Sequence, residues 1–124
     1  MSENLIHGAL THQIIGAAMT VLNTLRPGLD EKIYERSLII ELRKRGHTTD
    51  AQRRFPVHYD GELVGTLVPD LIVDNLVIVD TKVASAFSDS HTAQVIGYLA
   101  ITDRQVGLLL NFRYAELGWQ RIVR

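Results

Sequence analysis

The apolar run Leu76-Val77-Ile78-Val79 passes without a break into Asp80-Thr81-Lys82. Four consecutive apolar residues leave no side for water, so the run reads as a strand buried on both faces, at the centre of a sheet. Val106-Gly107-Leu108-Leu109-Leu110 is a second such strand. Between them, Ser88, Asp89 or Ser90 can cap a helix reaching about Ile101. Strand, helix and buried strand make a βαβ crossover, which is right-handed in nearly all known cases.

The flanking segments complete an α/β chain. Leu5, Ile14, Ile15, Ala18, Val21, Leu22 and Leu25 follow helical spacing over residues 5 to 25, and Arg26-Pro27-Gly28 ends that helix. A second helix is expected from about Asp30 to Arg45, with Ile33, Tyr34, Leu38, Ile39 and Leu42 inward. Its last turn is basic and precedes Gly46, which suits both the helix dipole and a C-cap. The stretch around Val57 and Tyr59, the pair Asp60-Gly61 and residues 63 to 73 read as a hairpin. Pro69 cannot donate to a ladder, so the second strand must kink or change partner there. Asp74-Asn75 is a further turn, and a short last strand is expected over 119 to 123. The expected order is ααβββαββ, without repeats, low-complexity segments or linkers.

With 124 residues, 46% of them hydrophobic, residues 1–124 fit one domain and are too few for two. No run reaches the roughly 18 apolar residues of a membrane span, and the N-terminus lacks a signal-peptide pattern, so a cytoplasmic protein is expected. The absence of cysteine removes thiol nucleophiles and Cys-ligated metals, leaving oxygen or imidazole as ligands. A net charge of −1 argues against a strongly basic nucleic-acid coat protein.

Chemistry concentrates at Pro69-Asp70 and Asp80-Thr81-Lys82. The period of two puts Asp80 and Lys82 on one face, about 6.5 to 7 Å apart along the strand. Two neighbouring carboxylates attract a hard divalent cation such as Mg²⁺, which lowers the pKa of bound water and neutralises phosphate charge. They also repel each other, so at least one should have a raised pKa without metal. A lysine two residues on can orient water and stabilise developing charge. In the plainer reading, Asp70 and Asp80 only end strands and Lys82 pairs with one of them. Running an apolar strand straight into Asp-Thr-Lys is nevertheless costly unless the charges meet water or a metal.

Register provides an internal test. With a strict two-residue turn at Asp74-Asn75, Asp70 would stand opposite Val79, putting Asp70 and Asp80 on opposite faces. A three-residue loop with Asn75 left-handed, or a bulge near Pro69, restores the shared face that a metal site requires.

Glu31 lies in the first turn of the second helix, where an acid also simply complements the dipole. Gln94 and Tyr98 stand at i, i+4 on the third helix, an arrangement that suits a core-edge contact equally well. His91 shares their side and could reach a phosphate, although a lone helical histidine usually has a structural role. Arg36, Arg43, Lys44, Arg45, Arg53 and Arg54 make six of the 13 basic residues, and a polyanion could dock on them. Solvated surface explains such a cluster as well, and phosphate contacts there would show as strong salt dependence. Three Phe, four Tyr and one Trp form no basic-aromatic stripe of the kind that stacks single strands.

Gly28-Leu29-Asp30-Glu31-Lys32-Ile33-Tyr34 resembles the GxxExxY signature of a family of small bacterial and archaeal proteins. The likeness continues through Arg45-Gly46, the Asp70 strand, the Asp-x-Lys strand, Val106 to Phe112 and Arg121-Ile122-Val123. That family is similar to the PD-(D/E)XK nucleases, and Gln94-Val95-Ile96-Gly97-Tyr98 resembles the QxxxY motif of RecB-type nucleases. The resemblance implies a restriction-endonuclease-like core and a Mg²⁺- or Mn²⁺-dependent nuclease hydrolysing DNA phosphodiesters. Glu31, Asp70 and Asp80 would be its acidic, metal-binding cluster and Lys82 its catalytic lysine. Gln94 and Tyr98 would engage substrate or organise the site. Asp80 departs from the Glu of many relatives and draws that carboxylate back by one methylene. A minimal core offers little surface for gripping a duplex, which favours a homodimer. The rival expectation is a non-catalytic module that keeps the fold and binds nucleic acid or protein; the intact Glu31, Asp70, Asp80, Lys82 set counts against it. An enzyme acting on another phosphate ester lacks the support of a Gly-rich phosphate loop.

Overall fold

The computed structural model describes residues 5–124. Helix α1, Gly8–Leu25, buries Ile14, Ala17, Ala18, Val21 and Leu22, the one-sided stripe that its spacing predicts. Leu5 falls outside the helix and is exposed, because His7 is left-handed and the helix begins only at Gly8. At the other end the Arg26 amide donates to the Leu22 carbonyl, and the positive φ angles of Arg26 and Gly28 turn the chain. Helix α2, Glu31–Lys44, buries Tyr34, Glu35, Leu38, Ile39 and Leu42. Ile33, expected inward, is exposed, and Glu35 takes the inward place. Gly46 caps α2 as expected: it is left-handed, and its amide and that of His47 satisfy the carbonyls of Arg43 and Leu42.

The strands are β1 Thr49–Ala51, β2 Phe55–Tyr59, β3 Glu62–Leu67, β4 Leu71–Val73, β5 Val77–Lys82, β6 Val106–Asn111 and β7 Gly118–Val123. The main sheet has the order β1-β4-β5-β6-β7, with β5 and β6 parallel and the other pairs antiparallel. β2 and β3 form a separate hairpin around Asp60-Gly61. The strand expected over 63 to 73 is therefore two strands that change sheet at Pro69, the residue that cannot donate to a ladder. β1 has no counterpart in the expected order; three residues, Thr-Asp-Ala, carry no strand periodicity.

Helix α3, Asp89–Thr102, makes the crossover between β5 and β6. Ser88 and His91 form a reciprocal capping box at its start, so the ring nitrogen considered for a phosphate instead accepts from the Ser88 amide. Gly107 admits α3 closely, since a Cβ there would lie 2.5 Å from Val95 Cγ1. The apolar side chains sort onto two layers by parity. Leu71, Val73, Val77, Val79, Val106 and Leu108 pack with α1 and α2, whereas Ile72, Ile78 and Leu109 pack with Val95 and Leu99 of α3. No helix among the described residues is long and apolar enough to cross a membrane.

Candidate active site

The parity that buries Ile72 and Ile78 under α3 carries Asp70, Asp80 and Lys82 to the same side of the sheet. The turn decides this. Leu71 pairs with Val79 and Val73 with Val77, so Asp74, Asn75 and Leu76 form a three-residue loop and Asp70 stands opposite Asp80. Both Asp74 and Asn75 are left-handed, a conformation Asn and Asp tolerate best among non-glycine residues. The shared face that a metal site requires is present.

At the end of β5 the groups are close. The Asp70 carboxylate accepts a hydrogen bond of 3.2 Å from the Thr81 amide. Lys82 Nζ lies 3.2 Å from Asp80 Oδ2, yet this oxygen is buried without an aligned hydrogen-bond donor. The contact is thus ionic and the carboxylate is incompletely satisfied, a costly arrangement for a charge of which only 5% remains exposed. Burial first, and then the adjacent Asp70 carboxylate, push the Asp80 pKa up to about 7, with Lys82 opposing the rise.

Glu31 approaches from the other layer. As the first residue of α2 it reaches round the sheet end, and its Oε1 accepts from the Val83 amide at 3.2 Å. Glu35, one turn on, is buried beside it and bonded through both oxygens to Lys32 Nζ. Burial raises the Glu35 pKa, Lys32 opposes this, and Asp70 and Glu31 add to it. Sequence reasoning missed Glu35, although positions 31, 35, 38 and 42 repeat at helical spacing through the inward residues Leu38 and Leu42.

On the α3 side, the Tyr98 ring packs against the apolar layer under that helix. Its hydroxyl has a raised pKa, first through burial and then through Asp80 and Asp70. Gln94 Nε2 donates to that hydroxyl at 3.0 Å, so the pair acts as a unit. Gln94 is exposed. The basic cluster is partly committed elsewhere: Arg43 binds Thr49, Arg45 binds Glu41 and Thr20, and Arg53 binds Asp50 while lying over the Phe55 ring.

Asp70 and Asp80, with an unsatisfied oxygen between them and Lys82, fit a hard cation, which commonly uses one or two carboxylates and keeps several waters. Among the described residues no three acidic or imidazole side chains converge as a ready set of ligands, and the Glu31 carboxylate is engaged by Val83.

None of the curated proteins matches this chain. Among solved structures, an alkaline exonuclease from Laribacter hongkongensis is similar over 86% of this chain and 76% of its own, at 13% identity and a TM-score of 0.41. A family model, in contrast, matches residues 8–122, from the first residue of α1 to the penultimate residue of β7, and thus takes in both acid-bearing strands and α3. With a restriction-endonuclease-like core, a mixed sheet crossed by α3, the chain belongs to the PD-(D/E)XK nuclease superfamily.

Proposed function

We propose that this chain is a divalent-metal-dependent nuclease hydrolysing DNA phosphodiester bonds, with Asp70 and Asp80 as metal ligands and Glu31 completing the acidic cluster. The observation that carries this reading is the buried, unsatisfied Asp80 carboxylate between Asp70 and Lys82. Left without a cation, such a pair only costs stability. A Mg²⁺ or Mn²⁺ ion there would activate water and neutralise phosphate charge. Lys82 stabilises charge developing on the phosphate and orients the attacking water. Gln94 and Tyr98 line the approach on α3 and hold substrate in position. Gly28, Glu31 and Tyr34 support placing the chain in the GxxExxY branch.

The test is cleavage of labelled single-stranded, duplex and branched DNA, with RNA in parallel, in Mg²⁺, Mn²⁺ or EDTA. Metal-dependent cleavage of a DNA that disappears in Lys82→Ala is the expected result. Absence of cleavage of every substrate, with binding retained, would favour an interaction module on the same fold.

Gln94→Ala provides a finer test. Its side chain is exposed and hydrogen-bonded to Tyr98, so turnover or substrate affinity should fall while stability stays within about 1 kcal/mol. Thermal melts beside cleavage rates separate this from a packing role, in which stability falls and activity survives.

A further inference from the structure

Tyr34 is fully buried in α2, and both ends of its side chain lead to the candidate site. Its hydroxyl donates to the Arg26 carbonyl at 2.6 Å and accepts from the Leu29 amide at 3.1 Å. These bonds close the turn between α1 and α2, the turn from which Glu31 starts. They matter more than usual because Asp30, the N-cap of α2, makes no side-chain capping bond. The helix start is held by Tyr34 from inside. The ring, meanwhile, stacks on Phe112 with centroids 4.8 Å apart and planes 10° from parallel. The Phe112 amide donates to the Lys82 carbonyl at 2.9 Å.

The geometry points to Tyr34 as a positioning residue that sets Glu31 through its hydroxyl and Lys82 through its ring. This inference rests on the reading of Glu31 and Lys82 as site residues. A hydrogen bond joins the two acid-bearing layers where Glu31 crosses to the Val83 amide, one residue beyond Lys82. Tyr34 spans that crossing from beneath: one end fixes the residue that donates the carboxylate, the other buttresses the strand that receives it. A tyrosine is required for both tasks, since phenylalanine keeps the stack and loses the turn, and no aliphatic residue supplies either a flat ring or a hydroxyl.

Amide hydrogen exchange on the metal-free full chain tests this without reference to cleavage. Tyr34→Phe should speed exchange at Leu29, and also at Val83, where Glu31 is no longer held in place, by roughly three- to tenfold, the usual worth of a hydrogen bond. Leu38 and Leu42, at the centre of α2, should be unchanged. In a Glu31→Gln background Val83 should already exchange faster, and adding Tyr34→Phe should accelerate it no further. Phe112→Leu, which spares the hydroxyl, should instead loosen the Phe112-position amide on Lys82 and leave Leu29 protected. Faster exchange at Leu29 with Val83 unaltered would overturn the proposal, as would equal acceleration of all amides. A chain that cleaves nothing yet shows the Leu29–Val83 coupling would refute the nuclease reading alone. A metal-dependent nuclease without that coupling would refute the role of Tyr34 alone.

Discussion

Asp80→Asn is expected to abolish cleavage and, at pH 8 without metal, to raise the melting temperature by roughly 5 to 15 °C. The gain follows from the Asp80 pKa, moved from 3.8 to about 7, chiefly by burial. Below about pH 4 the carboxyl is protonated both folded and unfolded, and its environment exacts no charge penalty. Between about pH 4 and 7 the unfolded chain releases the proton while the folded one keeps it, so stability falls as pH rises, and above 7 the loss is complete. Three pKa units correspond to about 4 kcal/mol, an upper figure because Asn must also be buried as a polar group. Melts of both proteins from pH 4 to 8 should therefore diverge with rising pH and coincide at the acid end. A constant difference would remove the buried charge as the cause. Mg²⁺ or Mn²⁺ should raise the melting temperature of the wild type at pH 8 and leave Asp80→Asn unmoved, because an ion that binds only the folded state stabilises it by mass action.

Lys82→Ala is the second large effect. Among the described residues its ammonium is the cation paired with Asp80, and in the proposed mechanism loss of such a preorganised charge costs about 10² to 10³ in rate. The same ammonium holds the Asp80 pKa down against burial, so its removal should drive that pKa further up. Metal must then compete with a proton at neutral pH. Metal binding by Lys82→Ala, followed by calorimetry, should be weakened near pH 7 and recover as the pH is raised, whereas cleavage should stay low throughout. Cleavage that recovers together with binding would mean that the lysine only tunes the ligand.

What could be read from the residue string was whatever depends on chain-local rules. The double-sided burial of Val77 to Val79, the partner change at Pro69 and the Gly46 cap each follow from one residue's geometry or one short pattern, and each is found. The shared face of Asp70 and Asp80 could be posed as a condition on loop length, but two or three residues in the turn are equally compatible with Asp74-Asn75-Leu76 as written. β1 escaped because its strand character derives from pairing with β4, not from its own side chains. The exchange of Ile33 for Glu35 at the buried face has a related origin: a carboxylate goes inward where Lys32 can pair with it, and hydropathy alone ranks that outcome last. His91 was drawn to the helix start by Ser88, a local bond that competes with any ligand.

Surface turns are where insertions and deletions usually accumulate unnoticed during evolution. The hairpin turn at Asp60-Gly61 fits that pattern, because the strands it joins are exposed and hold no site residue. The loop Asp74-Asn75-Leu76 does not, although all of β4 separates it from Asp70 and three residues of β5 separate it from Asp80. Its length is an arithmetic condition on the site: losing one codon would swap odd for even along β4, turning Asp70 toward α1 and α2 and Leu71 toward the face that holds Asp80. Lineages that keep the chemistry must therefore keep this loop odd in length or offset a change with a bulge in β4, even where the identities of its residues drift.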